Sequence, residues 1–289
     1  MVIILGGYLL TKRIISGIIC ALFLFLVVFL SYIYPFSLNI FISIISVLAS
    51  CEILILKKEF NFSLLSISSI IFSSIRSFVG PGTRWRAIMY TYMVICFIIS
   101  MERFIKNRKR SPHEFKSVWN VCFIFFLNVV ISISLGTISE IRNYGGKHGI
   151  FLYTLTLIIA STCDIGSYIF GKKFGKRKLC PYISPQKTVE GAIGGIFFSI
   201  FSSILFCIVC EQFFYVKNIN YLLTIFMSIL GAPISILGDL CFSLIKRIMN
   251  IKDFGNIIPG HGGILDRLDS IIFLSPFVLI FIHIIKLVE

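Results

Sequence analysis

Long apolar runs are the feature that most constrains this 289-residue chain. About 20 consecutive apolar residues cross a bilayer as a helix, so each run is a candidate transmembrane span. Mean hydropathy is +0.96 and 14% of the residues are charged, which is far from the composition of soluble domains. We therefore expect an all-α, polytopic integral membrane protein with about nine transmembrane helices, including broken helices. The candidate spans are 14–34, 36–56, 62–79, 85–101, 118–138, 150–170, 191–213, 221–245 and 270–288.

These spans leave little chain for a separate soluble domain. We interpret residues 1–289 as one membrane domain, with N-terminal spans in 1–149 and a catalytic half in 150–289. The division is consistent with the aspartates, because all five lie beyond residue 163. The polar site is therefore expected in the C-terminal half.

The formal net charge of +14 has two readings. On a soluble protein it would suggest nucleic acid, but in a membrane protein an excess of Lys and Arg on the cytoplasmic side is the simpler explanation. If all nine spans cross, 20 of the 27 Lys and Arg fall on one side. We therefore expect a cytoplasmic N-terminus and a cytoplasm-facing site. Membrane lipids are the expected surroundings, and nucleic acid is not an expected partner.

Two aspartates, Asp164 and Asp239, fall in or at the ends of predicted spans. An aspartate in an apolar helix is costly, and it indicates a functional site by default. At 100° per residue Asp239 and Lys246 share one helix face, with Ser243 between them, inside an arc of about 60°. That face would run from within the membrane to its cytoplasmic edge.

A second acidic face lies at the start of the last span, where Asp266 and Asp269 are three residues apart. The sequence PGHGG, residues 259–263, separates it from the first face and permits a tight turn. Carboxylates from two helices offer hard oxygen ligands that suit Mg²⁺ holding substrate phosphates. The neighbouring Lys and Arg suit the phosphate oxygens. The pattern predicts metal-assisted phosphate chemistry at the membrane surface.

The segment SPQKTVEG, residues 184–191, precedes an apolar helix on the same predicted side. Helix N-termini expose free N–H groups, and together with a lysine they bind anions. Ser184 and Lys187 are therefore candidate phosphate contacts. The basic run just before them, 172–178, is better explained as an ordinary positive-inside loop.

Residues 243–269 read SLIKRIMNIKDFGNIIPGHGGILDRLD. This segment resembles the signature of phosphatidate cytidylyltransferases, also called CDP-diacylglycerol synthases. Two other segments are similar to the same family: D-x-G-x-Y-x-x-G at 164–171 and SP-x-K-T-x-EG at 184–191. Val189 and Phe242 depart from the pattern, which has a tryptophan and an acidic residue there. The resemblance is specific over 150–270 and general in the N-terminal half.

The resemblance implies an integral enzyme of a bacterial-type inner (plasma) membrane that converts CTP and phosphatidate into CDP-diacylglycerol and pyrophosphate with Mg²⁺. A second metal ion is possible, and its identity is left open. Asp239 and Asp266 are the expected metal ligands and, together with Lys246 and Lys252, the expected catalytic residues. Asp253 and Asp269 are expected to orient the cations. The expected substrate-binding residues are Ser184, Lys187, Ser243, Arg247, Asp253, His261, Arg267 and Asp164.

Two other functions fit parts of the sequence. A secondary transporter would also carry intramembrane acids and Gly-Pro interruptions such as LGAPISILGD at 230–239, although it should show them in both halves. A CTP-dependent lipid kinase would use similar metal and phosphate chemistry but would release CDP. The oligomeric state stays open, and a homodimer is one option.

Overall fold

Helices make up most of the chain in the computed structural model. It describes residues 17, 19, 22–55, 70–75, 78, 91, 112–144, 147–214, 216, 219–257 and 262–285. The helices are α1 (Leu22–Ile33), α2 (Pro35–Ile55), α3 (Pro112–Asn143), α4 (Lys147–Phe174), α5 (Val189–Phe213), α6 (Tyr221–Ile248) and α7 (Leu265–Ile284). Two short strands, β1 (Lys178–Cys180) and β2 (Ser184–Thr188), lie between α4 and α5.

Among the described residues, five helices are long and apolar enough to cross a membrane: α2, α4, α5, α6 and α7. This confirms a largely α-helical integral membrane protein. The predicted spans 62–79 and 85–101 lie mostly outside the described residues, so the count of nine stays a prediction. The candidate span 221–245 is one continuous helix, because α6 continues through Pro233, and α7 likewise continues through Pro276. Neither of these two helices is one of the broken helices that the sequence predicts. Membrane helices tolerate an internal proline when neighbouring groups satisfy the backbone that it frees.

The chain divides into two compact units, residues 36–139 and residues 1–35 with 140–289. In the first unit, polar side chains pair inside an apolar environment. Ser50 Oγ donates to Asn128 Oδ1 over 2.6 Å, and Ser43 Oγ donates to the carbonyl of Ser74 over 3.0 Å. Such pairs satisfy groups that lipid cannot hydrogen-bond. The catalytic half that the sequence predicts falls entirely in the second unit.

In the second unit, α4 packs most extensively against α5, while α6 packs against both α5 and α7. Glycines allow α4 and α5 to approach each other closely. A Cβ on Gly195 would lie 2.7 Å from the carbonyl oxygen of Cys163, and one on Gly191 would lie 2.7 Å from that of Ser167. Van der Waals contact between small residues is a main source of helix association in lipid. The glycines of the 191–195 segment therefore bring the start of α5 directly against the end of α4.

The connection between α4 and α5 is an antiparallel hairpin rather than the plain loop that the sequence suggested. Lys178 pairs with Thr188 and Cys180 pairs with Ser184, with a turn at 181–183. Thr188 also caps α5, since its Oγ1 accepts from Gly191 N over 3.1 Å. Glu190 accepts from the backbone N–H groups of Lys176 and Arg177 over 3.0 and 3.1 Å. These bonds hold both ends of the hairpin at the beginning of α5.

Candidate active site

A cavity of about 750 Å³ opens where α4 and α6 end and where α5 and α7 begin. All five aspartates of the chain line it, together with five cationic side chains. The acidic members are Asp164, Asp239, Asp253, Asp266 and Asp269, and the basic members are Lys172, Lys178, Lys187, Lys246 and Arg267. Uncharged lining residues are Ser167, Tyr168, Gly171, Leu179, Ser184, Gln186, Thr188, Ala192 and Ile236.

The hairpin meets α6 through an ion pair. Lys187 Nζ, on β2, lies 2.5 Å from Asp239 Oδ2, and both side chains are about one-quarter exposed, at 23% and 27%. The other oxygen of Asp239 accepts from Ser243 Oγ, one turn further along α6, over 3.3 Å. The predicted Asp239–Ser243–Lys246 face therefore borders the cavity, and Ser243 reaches it through Asp239.

Asp266 connects three parts of the chain at the start of α7. Its Oδ1 lies 3.0 Å from Lys246 Nζ, and its Oδ2 accepts from the backbone N–H groups of Phe254 and Gly263, each over 2.9 Å. The Asp266 side chain is 5% exposed. Gly262 has a φ of +85°, a backbone conformation that favours glycine, and a Cβ there would lie 3.0 Å from Asp266 Oδ2. Gly262 therefore lets the chain close around the carboxylate.

Phe242, where the signature has an acidic residue, packs in the wall behind this carboxylate. Its buried ring makes edge-to-face contacts with Phe254, with ring centroids 5.8 Å apart, and with Phe273, at 6.3 Å. Lys246 Nζ lies 5.6 Å from the centroid of the Phe254 ring. Phe242 thus belongs to an aromatic cluster, and Phe254 of this cluster lies next to Lys246 of the Lys246–Asp266 pair.

Asp164 and Asp269 meet through a serine that the sequence analysis did not select. Ser270 Oγ lies 3.1 Å from Asp164 Oδ2, and Ser270 N donates to Asp269 Oδ1 over 2.8 Å. Asp164 and Asp269 both lie within electrostatic range of Asp239. Asp164 and Asp269 therefore lie beside each other in the cavity, where nearby cationic groups would stabilise their charged forms.

A model of the cytidylyltransferase family matches residues 11–285. The chain belongs to the cytidylyltransferase family. The phosphatidate cytidylyltransferase of Staphylococcus aureus (strain COL) is 31% identical over 242 residues, which cover 83% of this chain and 87% of the relative. The resemblance that the motifs indicated is confirmed.

Two further relatives carry the same name. The phosphatidate cytidylyltransferase of Bacillus subtilis (strain 168) is 42% identical over 160 residues, 54% of this chain and 56% of the relative. That of Haemophilus influenzae is 41% identical over 130 residues, 45% of each chain. This chain therefore spans about half the length of these two relatives.

The fold brings most of the predicted site residues into one cavity. Nine of the predicted residues line it: Asp164, Ser184, Lys187, Asp239, Lys246, Asp253, Asp266, Arg267 and Asp269. Lys252 and Arg247 are exposed and do not line it. Arg247 Nε instead donates to the carbonyl of Ile183 at the hairpin turn, over 3.2 Å. His261 lies outside the described residues, and the roles predicted for all these residues stay predictions.

Sequence reasoning did not select Ser270, Tyr168 or Gln186. Ser270 directly follows an aspartate of the signature, and Tyr168 lies one helical turn after Asp164, so both positions carried a signal. Gln186 carried none, because only the hairpin brings it to the cavity.

Proposed function

We propose that this chain is a phosphatidate cytidylyltransferase that transfers the cytidylyl group of CTP to phosphatidate and releases pyrophosphate. The observation that carries the proposal is the cavity lined by all five aspartates and five cationic side chains. CTP and phosphatidate are both anions, so a site that joins them needs fixed positive charge. Relatives named for this activity support the same conclusion.

The reaction is an in-line displacement at phosphorus. A phosphate oxygen of phosphatidate attacks the α-phosphorus of CTP, and the bond from this phosphorus to the oxygen shared with the β-phosphate breaks. Pyrophosphate leaves with that oxygen. Positioning and charge neutralisation dominate such transfers, with little acid–base work. The groups that hold the phosphates therefore matter most.

Lys187 and Lys246 are oriented for this task by Asp239 and Asp266. An ammonium has three donors, so a lysine held by one carboxylate can still donate to phosphate oxygens. Arg267 lies in the same cavity and can hold two oxygens at once through its planar guanidinium. We assign these three residues to the two substrates' phosphates, and Ser184 to a supporting hydroxyl contact.

The donor set fits Mg²⁺, which prefers carboxylate and phosphate oxygens. Among the described residues no three acidic, histidine or cysteine side chains converge tightly enough to hold an ion by themselves. Mg²⁺ is commonly held by one or two carboxylates and completed by substrate phosphates. Asp239 and Asp266 would hold it, with Asp164 and Asp269 nearby. When bound, the ion would neutralise charge on the triphosphate and the departing pyrophosphate.

We place the cavity on the cytoplasmic side, with nine spans and a cytoplasmic N-terminus. The ends of α4 and α6 and the starts of α5 and α7 meet at the cavity, so the basic connections 171–188 and 246–269 share one face. An excess of Lys and Arg is typical of cytoplasmic connections. Soluble CTP can enter there, and the phosphate of a membrane lipid lies at the same depth.

Purified protein in detergent, supplied with labelled CTP, phosphatidate and Mg²⁺, tests the function. We expect CDP-diacylglycerol and pyrophosphate in equal amounts, and no product when a chelator removes the metal. Release of CDP with a newly phosphorylated lipid would indicate a kinase instead. Absence of any CTP-dependent product from folded protein would contradict the proposal.

A further inference from the structure

Tyr168 is an aromatic side chain in a cavity otherwise lined, among the residues that the structure describes, by charged, small polar and aliphatic groups. Tyr168 is 68% exposed to solvent. We propose that Tyr168 is the surface on which the cytosine ring of CTP stacks. This inference rests on the proposed function and assigns the base, which the phosphate-binding residues leave unassigned.

The position of Tyr168 on α4 suits this role. Asp164, Tyr168 and Lys172 are spaced four residues apart, so they follow one helix face and all three line the cavity. Each step of four residues rises about 6 Å. Asp164 lies within electrostatic range of Lys187 and Asp239, so it marks the reacting end of the cavity. The ring of Tyr168 is therefore one helical turn away from that end, as a base is separated from its α-phosphate by the ribose.

The chemistry of the ring also suits a base. A pyrimidine presents a flat π-face, and nucleotide-binding proteins commonly stack such faces on aromatic side chains. Lys172 Nζ lies 5.9 Å from the centroid of the Tyr168 ring. An ammonium near the ring leaves one ring face for the base. Leu179, Ala192 and Ile236 can border a base but cannot stack with it.

An ordinary explanation competes with this one. Tyrosines are enriched at membrane–water interfaces, and the adjacent Ile165 and Ile169 are exposed apolar side chains on the same helix. Tyr168 differs from them because it lines the cavity. The two explanations make opposite predictions for CTP affinity, since an interfacial anchor has no reason to contact the nucleotide.

The test compares Tyr168→Leu, Tyr168→Phe and the matched control Tyr182→Leu, all purified in detergent. Tyr182 is 96% exposed at the hairpin turn and does not line the cavity. The measurements are the KM for CTP, the KM for phosphatidate, and the inhibition constant of inorganic triphosphate, which lacks a base. We expect Tyr168→Leu to raise the KM for CTP about tenfold or more, the effect of losing one base–aromatic stack.

The inhibition constant of inorganic triphosphate and the KM for phosphatidate should stay within about twofold of wild type in Tyr168→Leu, because the phosphate contacts remain. Tyr168→Phe keeps the ring and Tyr182→Leu leaves the cavity intact, so both should resemble wild type. An unchanged KM for CTP in Tyr168→Leu would overturn the inference. An equal loss of triphosphate inhibition would also overturn it, since it would show a structural role.

Tyr168→Met supplies the same comparison if Tyr168→Leu is not recovered folded. The test is separate from that of the proposed function. Wild-type protein that forms no CDP-diacylglycerol would refute the function, whereas active wild-type protein with an insensitive Tyr168→Leu would refute only the stacking role.

Discussion

Lys187 of β2 and Asp239 of α6 form an ion pair whose atoms Nζ and Oδ2 are 2.5 Å apart. The pair joins the hairpin to the wall of the cavity. It also gives the lysine a defined position without using all of its donors. Neither element could orient this ammonium alone.

Lys187→Ala should weaken the use of CTP. A hydrogen bond to a charged group is worth about 1.5–3 kcal/mol, so we expect the KM for CTP to rise, or kcat/KM to fall, about tenfold or more. Lys173→Ala is the matched control, because Lys173 belongs to the same basic connection but does not line the cavity. Steady-state kinetics against CTP decide the matter. If Lys187→Ala kept the wild-type affinity for CTP and the wild-type maximal rate, Lys187 would be an ordinary surface charge with no contact to CTP.

Asp266→Asn should lower both turnover and stability. The amide keeps one carbonyl oxygen, so it cannot accept from Lys246 and also keep both backbone N–H bonds that Asp266 accepts. Breaking a buried ion pair costs about 3–5 kcal/mol. Turnover should fall at least ~10²-fold, equivalent to about 2.7 kcal/mol. Activity across a Mg²⁺ titration and thermal unfolding in detergent measure the two effects.

Asp253→Asn is the comparison for Asp266→Asn, because Asp253 lines the same cavity but is exposed. Its effect on stability should be small. If Asp266→Asn kept wild-type turnover at ordinary Mg²⁺, the assignment of Asp266 to the metal would be wrong, and its role would be confined to closing the turn.

Glu190→Ala should weaken the use of CTP because it loosens the hairpin. Its carboxylate accepts from the backbone of Lys176 and Arg177 and so holds the first strand next to α5. We expect a modest rise in the KM for CTP with the KM for phosphatidate unchanged, because Lys187 and Ser184 lie on the hairpin. Glu190→Gln retains an acceptor oxygen and should be milder. An equal rise in the KM values for CTP and for phosphatidate would argue against an effect of Glu190 through the hairpin.

Gly195→Ala should destabilise the packing of α4 on α5. The new methyl would meet the Cys163 carbonyl oxygen at 2.7 Å, and a backbone atom cannot move aside. Overpacking costs about 1–3 kcal/mol, against a gain of about 1 kcal/mol in helix propensity. Gly231→Ala is the control, because its nearest neighbour is the flexible end of Leu274, at 3.0 Å. The midpoint temperature of thermal unfolding should fall for Gly195→Ala and change little for Gly231→Ala.

Cysteine labelling tests the orientation. Asn143 ends α3, and Tyr182 lies in the hairpin after α4, so one membrane crossing separates them. An impermeant maleimide added to intact cells should label Asn143→Cys but not Tyr182→Cys, with Cys180→Ser as the background for both. Labelling of Tyr182→Cys from outside would reverse the proposed topology.

Asp164, Asp239 and the 243–269 segment could be identified from the sequence because their chemistry is local. A carboxylate in an apolar run is costly, and the spacing of Asp239 and Lys246 places them on one helix face. The apolar runs likewise predicted the helices α2 and α4–α7, since a bilayer requires about 20 apolar residues per helix. Pro233 does not break α6, because neighbouring groups can satisfy the backbone that a proline frees, and the sequence alone does not show which helices are broken.

The partners of these side chains depend on the tertiary structure. Glycines such as Gly195 bring α4 and α5 together, and the residues between these helices form a hairpin that places Lys187 beside Asp239 of α6. Tyr168 and Gln186 reach the cavity for the same reason, although no local pattern marks Gln186. The sequence by itself determined the membrane helices and the chemical groups of the site. The tertiary structure decided which acid pairs with which base, because pairing depends on distances between segments that are remote in the chain.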